Sequence, residues 1–257
     1  MMGLDEQQIL AWLTPVLWPF LRVLALFQVM PVLGQRIVPT RVRVALSLLI
    51  GMAASTAVPL PLHEGRPIPL DAALAVPLVL QQLLVGWTLG FAVRIVFAAV
   101  EFAGEVAGLQ MGLNFAGFFD PLLASQATAT SRYFGNLVSF LFIAVGGHLT
   151  VLAAVVQSLQ AVPVAPDPLG FILQLQPWVW GAEVFRLGLW IALPLIGLML
   201  MVNLMLGIVS RVAPQANIFS LGFPVTLSVG LLGMVAMLPS LQTPFLAALE
   251  RLLSPFQ

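Results

Sequence analysis

Apolar residues gather into about six long blocks separated by short polar or proline-rich intervals. The blocks run roughly from Ile9 to Leu33, Val44 to Val58, Asp71 to Arg94, Tyr133 to Leu159, Leu187 to Val209, and Ile218 to just past Pro239. Blocks of this length, without strict alternation, predict helices long enough to cross a bilayer. The expected fold is therefore all-α, a multi-pass, membrane-type helical protein with about six hydrophobic segments. Pro15, Pro19, Pro77, Pro194 and Pro224 fall in or near these blocks, which predicts kinked helices whose freed carbonyls are met by protein neighbours. Beyond Pro239 an amphipathic tail is expected.

The third block does not stop at Arg94. Helical character continues into EFAGEVAGLQMGLNFAGFFDP, residues Glu101 to Pro121. Gly104, Gly108 and Gly112 recur every four residues, which on a helix makes a flat ridge where another backbone can come close. Glu101 and Glu105 share an adjoining stripe. From Leu113 onward Asn114, Gly117 and the Asp120-Pro121 pair favour turns, whereas Phe115, Phe118 and Phe119 are too apolar for water. A helix running into an aromatic, glycine-flanked loop is expected. Two readings fit it: a tight helix contact followed by a buried connector, or a movable apolar seal.

Composition narrows the class. Hydrophobic residues make up 60% of the 257 and charged residues 8%, with a mean hydropathy of +1.05, against about 25% charged in soluble domains. An integral membrane protein is expected. The net charge is zero, and nothing points to nucleic acid. All ten basic residues are arginine, so neither a Walker A loop nor a lysine Schiff base can be built. The absence of cysteine removes disulfides, iron-sulfur clusters and thiolate zinc sites. No cofactor is expected. Asp5 and Glu6 stand where a signal peptide would be basic, so no cleavable signal is expected.

The few charges that remain are informative. Arg22 lies near the middle of the first block, where a lipid-facing charge costs about 2.5 to 3.5 kcal/mol. It must face protein or water, through an acidic partner in an assembly or through an ion pair or backbone contact in its own chain. Arg36, Arg41 and Arg43 crowd one short interval, and Arg132 and Arg211 occupy two later ones. The positive-inside rule places all three on the cytoplasmic side and the N-terminus outside. Gln81 and Gln82 lie within the third block, where at least one is expected to bond another helix and the two are not expected to face one neighbour. His148, in the fourth block, reads as a helix-to-helix hydrogen bond, His63 as a loop residue, and Trp178 and Trp180 as interfacial anchors.

PVLGQRIVPTRVRVAL, the Glu101 to Pro121 block, GGHLT and RVAPQANIFSLGFP at 211 to 224 resemble, in order and spacing, the flagellar biosynthesis FliR family. That family also includes the T subunit of virulence type III export gates. The resemblance covers essentially the whole chain, with RVAPQANIF its most specific part. It implies a subunit of an export gate in the bacterial inner membrane and flagellar basal body, assembled with FliP-like and FliQ-like subunits and a FlhB-like protein. Unfolded flagellar proteins pass through such a gate. It implies further that residues 1–176 are FliP-like and 177–257 form a FliQ-like hairpin, with the seam near Pro177. Segment Leu113, Asn114, Phe115, Gly117, Phe118, Phe119 would plug the closed pore. Family members sit largely above the bilayer plane in their complex, so apolar segments would pack on partner helices. Gln81 or Gln82 departs from the family pattern by standing where a glutamate is expected. Arg22, Glu101, Glu105 and Arg211 are the candidates for assembly contacts or ion pairs.

Two other classes are weaker. A small-solute transporter would show midplane ionisable groups and broken helices in an internal repeat, and the chain offers only Arg22 and His148 with no convincing repeat. An enzyme would need a constellation such as H-E-x-x-H or G-x-S-x-G, and neither occurs.

Overall fold

The computed structural model describes residues 6–35, 37–56, 62–63, 66–67, 75–113, 128–165, 167, 169–212 and 218–257. Nine α-helices are present among them. They are α1 (Glu6–Val29), α2 (Thr40–Ser55), α3 (Ala75–Gln110), α4 (Ala129–Ala144), α5 (Gly147–Ala161), α6 (Gly170–Leu175), α7 (Gly181–Val212), α8 (Ile218–Met237) and α9 (Gln242–Leu253). A two-residue antiparallel strand pair, Leu62–His63 with Arg66–Pro67, is the one β element among the described residues. Over its described residues each of the six apolar blocks is mainly helical. Helices at Ala75–Gln110, within Gly170–Val212 and within Gly222–Phe256 are long and apolar enough to cross a membrane, and α4 with α5 makes a fourth if the bent pair counts as one.

Local chemistry explains the boundaries. Pro77 sits in the first turn of α3, where its missing N–H has no helical acceptor to lose. Thr128 caps α4 by accepting from the Ser131 amide at 3.1 Å. The fourth block, expected as one span, is broken after Val145. Gly146 takes φ 72°, a left-handed conformation that glycine adopts without a Cβ clash. Pro15, Pro19, Pro194 and Pro224 lie inside α1, α7 and α8, and those helices continue through them.

The chain divides into two compact units. The first combines residues 1–94, 146–180 and 249–257. Its core holds Trp18, Val23, Leu26 and Phe27 of α1 with Leu78, Val85 and Leu89 of α3 and Val151 and Val155 of α5. The buried face of α2 is Ser47, Gly51 and Ala54, small residues about one turn apart that let α1 approach. A Cβ on Gly51 would come within 3.0 Å of the Phe20 backbone nitrogen. Near its end, Trp180 lies against Phe91 and Phe256 at ring separations of 6.4 and 6.3 Å.

The second unit combines residues 95–145 and 181–248. Phe97, Phe142 and Phe245 meet edge to face at 5.4 to 6.4 Å, the geometry that aromatic quadrupoles favour. The expected amphipathic tail is α9, whose Phe245, Ala248, Leu249 and Leu252 are buried at helical spacing.

Candidate functional site

The end of α3 is where the ridge glycines meet structure. Gly104 is buried against Phe134 of α4, and a Cβ there would lie 2.8 Å from the Phe134 ring. Gly108 is buried as well. Gly112 is not part of the ridge. The helix ends before it, with the Met111 amide bonded to the Ala107 carbonyl at 3.1 Å and the Gly112 amide tightening onto Leu109 at 3.1 Å. Gly112 itself takes φ 79°. It serves as the left-handed residue that stops a helix, a role for which glycine is the usual choice. Leu113 follows, half-buried, while Asn114, Phe115, Gly117, Phe118 and Phe119 lie outside the described residues. Glu101 is half-buried beside Gly135 of α4, and Glu105 is exposed.

Arg22 occupies a built polar node inside the first unit. Gly86 on α3 faces the Arg22 backbone, and a Cβ there would come within 2.8 Å of Ala25 Cβ. With α1 and α3 drawn together, Arg22 is fully buried. Its Nε donates to Gln82 Oε1 at 2.9 Å, Nη1 donates to the Ser158 carbonyl and hydroxyl at 2.6 and 3.0 Å, and Nη2 donates to the Val162 carbonyl at 2.9 Å. Those carbonyls belong to the C-terminal end of α5, where the helix dipole is negative; the Ser158 carbonyl also accepts the Val162 amide at 2.9 Å, and Val162 itself follows the last helical residue. The guanidinium thus caps α5 from a neighbouring helix. Of the two readings open for Arg22, the contact within its own chain is the one found.

Both glutamines join this node and face different neighbours, as expected: Gln82 meets Arg22 of α1, and Gln81 meets the 163–165 backbone. Gln82 Nε2 donates to Gln81 Oε1 at 2.9 Å. The same oxygen accepts the Ala165 amide at 2.9 Å, and Gln81 Nε2 donates to the Pro163 carbonyl at 3.0 Å. Adjacent residues can share one network because a side-chain amide donates and accepts at once. The acceptors facing Arg22 are neutral, and dipoles replace the carboxylate that a buried cation ordinarily pairs with. Sequence reasoning found the donors, since polar groups amid apolar ones stand out. It missed Ser158 and the 162–165 backbone, which carry no such signal.

The other candidates stand apart from the node. Arg211 is exposed in the last turn of α7, a placement that suits the helix dipole. His148 is half-buried in the first turn of α5. Among the described residues no three His, Asp or Glu side chains gather as a metal site would require.

Helix α7 has an unusual surface. One narrow stripe, Gly188, Ile191, Ala192, Leu195 and Met199, is buried. Gly188 receives Phe102 of α3, and Gly233 of α8 faces Leu195. Around the rest of α7, Trp190, Leu200, Met201, Leu204, Met205 and Ile208 are each more than half exposed. An apolar groove between α7 and α8 is lined by Met201, Val202, Met205, Leu206, Val209 and Val225. A helix apolar on every side requires a non-aqueous surrounding.

A helical fold with spans of this length, a buried polar node at Arg22 and large uncovered apolar faces defines a polytopic membrane protein. Residues 13–252 match the family model described as bacterial export proteins, family 1, and the chain belongs to that family. It is 40% identical over 245 residues to the flagellar biosynthetic protein FliR of Escherichia coli strain K12, covering 95% of this chain and 92% of the relative. It is 37% identical over 239 residues to FliR of Pectobacterium carotovorum, covering 93% and 90%. The FliR protein of Aquifex aeolicus is 29% identical over 232 residues, covering 89% and 86%. The chain is a membrane subunit of the flagellar export apparatus.

Proposed function

We propose that the chain is a non-enzymatic pore subunit of the flagellar type III export gate in the bacterial inner membrane. It assembles with FliP-like and FliQ-like subunits and a FlhB-like protein, and unfolded flagellar proteins are the cargo. Residues 1–176 take the FliP-like place and 177–257 the FliQ-like hairpin. The segment Leu113 to Phe119 seals the idle pore: bulky apolar groups exclude ions, and flanking glycines let the backbone give way without chemistry.

The observation that supports this reading best is the contrast on α7, where a narrow stripe is covered and the remaining apolar surface is bare. Helices of partner subunits are the occupants the reading assigns to that surface. The sealing role is supported by the end of a buried helix just before Gly112, which takes a left-handed conformation. Replacing Phe115, Phe118 and Phe119 together with glycine is expected to leave co-purification with partner subunits intact while cells become leaky to small ions and salt-sensitive. Normal assembly with wild-type membrane conductance would overturn the seal and leave a buried connector.

A further inference from the structure

Gly112 poses a problem that its own chemistry does not solve. A glycine at φ 79° ends α3, but its wide conformational range leaves the direction in which the chain departs undetermined. Something beyond the glycine must hold the last residue of the helix side. That residue is Met111, which is 0% exposed.

Two residues one turn apart on α8 grip it. A Cβ on Gly230 would collide with Met111 Cγ and come within 2.7 Å of Sδ and 3.0 Å of Cε. The methionine side chain therefore occupies a notch that only glycine leaves open. Methionine ordinarily adapts its three torsions to irregular space, and here the notch selects one course for it. The second contact holds the backbone. Thr226 is buried, and its hydroxyl hydrogen is shared between the Phe223 carbonyl at 3.1 Å and the Met111 carbonyl at 3.4 Å. The Met111 carbonyl lies just past the last helical residue of α3, Gln110, where the helical hydrogen-bond pattern has ended. Side chain and carbonyl are both held by α8, one residue before the pivot.

We propose that Met111, Thr226 and Gly230 are positioning residues that set the direction in which the chain leaves α3. The proposal rests on the reading of Leu113 to Phe119 as the seal. Its consequence is that α8 governs the root of that segment. A shift of α8 carries Met111 with it, and the residues beyond Gly112 start from a new place.

The absence of cysteine allows a clean test in the assembled complex in native membranes. Ala116→Cys supplies a single thiol beyond the pivot, and its rate of maleimide labelling reports where the segment lies. Adding Gly230→Val fills the notch and is expected to change that rate severalfold. Adding Met111→Ala to that variant makes room again and is expected to return the rate toward its starting value, a rescue that general misfolding would not show. Thr226→Val removes the hydroxyl at nearly constant shape and is expected to shift the rate in the same direction by less. If Gly230→Val fails to assemble, Thr226→Val alone decides. Unchanged labelling in the variants that assemble, or failure of Met111→Ala to relieve Gly230→Val, overturns the positioning role. The two readings separate cleanly. Labelling that responds in a chain whose triple phenylalanine variant does not leak keeps the positioning and discards the seal, and the reverse result discards only the positioning.

Discussion

Helices α3 and α7 are close in length, 36 and 32 residues, and close in character. The spans that contain them have mean hydropathies of 2.0 and 2.3 in their most apolar stretches. Yet 67% of that stretch is buried for α3 and 22% for α7. The difference comes from where glycine sits. On α3, Gly86 and Gly90 admit α1, and Gly104 admits Phe134 of α4. On α7, Gly181, Gly197 and Gly207 have open space where a Cβ would stand. Hydropathy reports what a helix avoids, and small residues facing a neighbour decide which chain supplies the cover. Helix α3 is enclosed by its own chain, whereas α7 presents its apolar surface outward.

The comparison is most severely tested at Arg22, inside the enclosed region. Arg22→Leu would take the Arg22 donors from the Val162 carbonyl and Gln82 Oε1 and leave the Ser158 carbonyl with the Val162 amide alone, and orphaned buried groups cost about 1 to 3 kcal/mol each. We expect a loss of about 3 kcal/mol or more by the same reckoning, seen as a sharply lower melting temperature in detergent and little protein in the membrane. Arg22→Lys should recover only part, since an ammonium cannot reach the same acceptors with a fixed fork. Normal accumulation of Arg22→Leu would remove the node from the account.

A smaller effect is expected at the helix contact itself. Gly86→Val drives side-chain atoms into the Arg22 backbone, and overpacking of this kind costs about 1 to 3 kcal/mol. Thermal melting against the parent chain measures it. An unchanged midpoint would mean that α1 and α3 are not held at this distance.

The smallest effect on the chain alone belongs to α7. Replacing Leu200, Leu204 and Ile208 with serine, one at a time, should alter its own stability by no more than about 0.5 kcal/mol, as for surface sites. Recovery of other subunits of the export apparatus with it should fall. Should stability drop as far as for Gly86→Val, the exposed face would belong to this chain's core, and the contrast between the two helices would collapse.

Much of the framework was legible because it depends on local runs of residues. Six apolar blocks became mainly helical, the long third block became α3, and the amphipathic tail expected past Pro239 became α9. The break at Gly146 was not legible, since glycine is frequent in membrane helices and does not by itself mark a break. Gly112 illustrates the same limit. Its four-residue spacing from Gly108 fitted a ridge, but the helix stops two residues earlier and the glycine serves the turn. On α2, Ser47, Gly51 and Ala54 form a contact face that their neighbours concealed.

Composition and periodicity alone determined that this chain is helical and membrane-bound, and that Arg22 and the glutamines must find partners away from lipid. Those conclusions rest on transfer free energies, which belong to residues wherever they lie. Which partners they find was decided only by the tertiary structure. Arg22 meets Gln82 across 60 positions and Ser158 across 136, and Met111 meets Thr226 across 115. Backbone carbonyls are the chosen acceptors at both places, and every residue carries one. Only folding brings a particular carbonyl to the end of a helix and within reach of a donor.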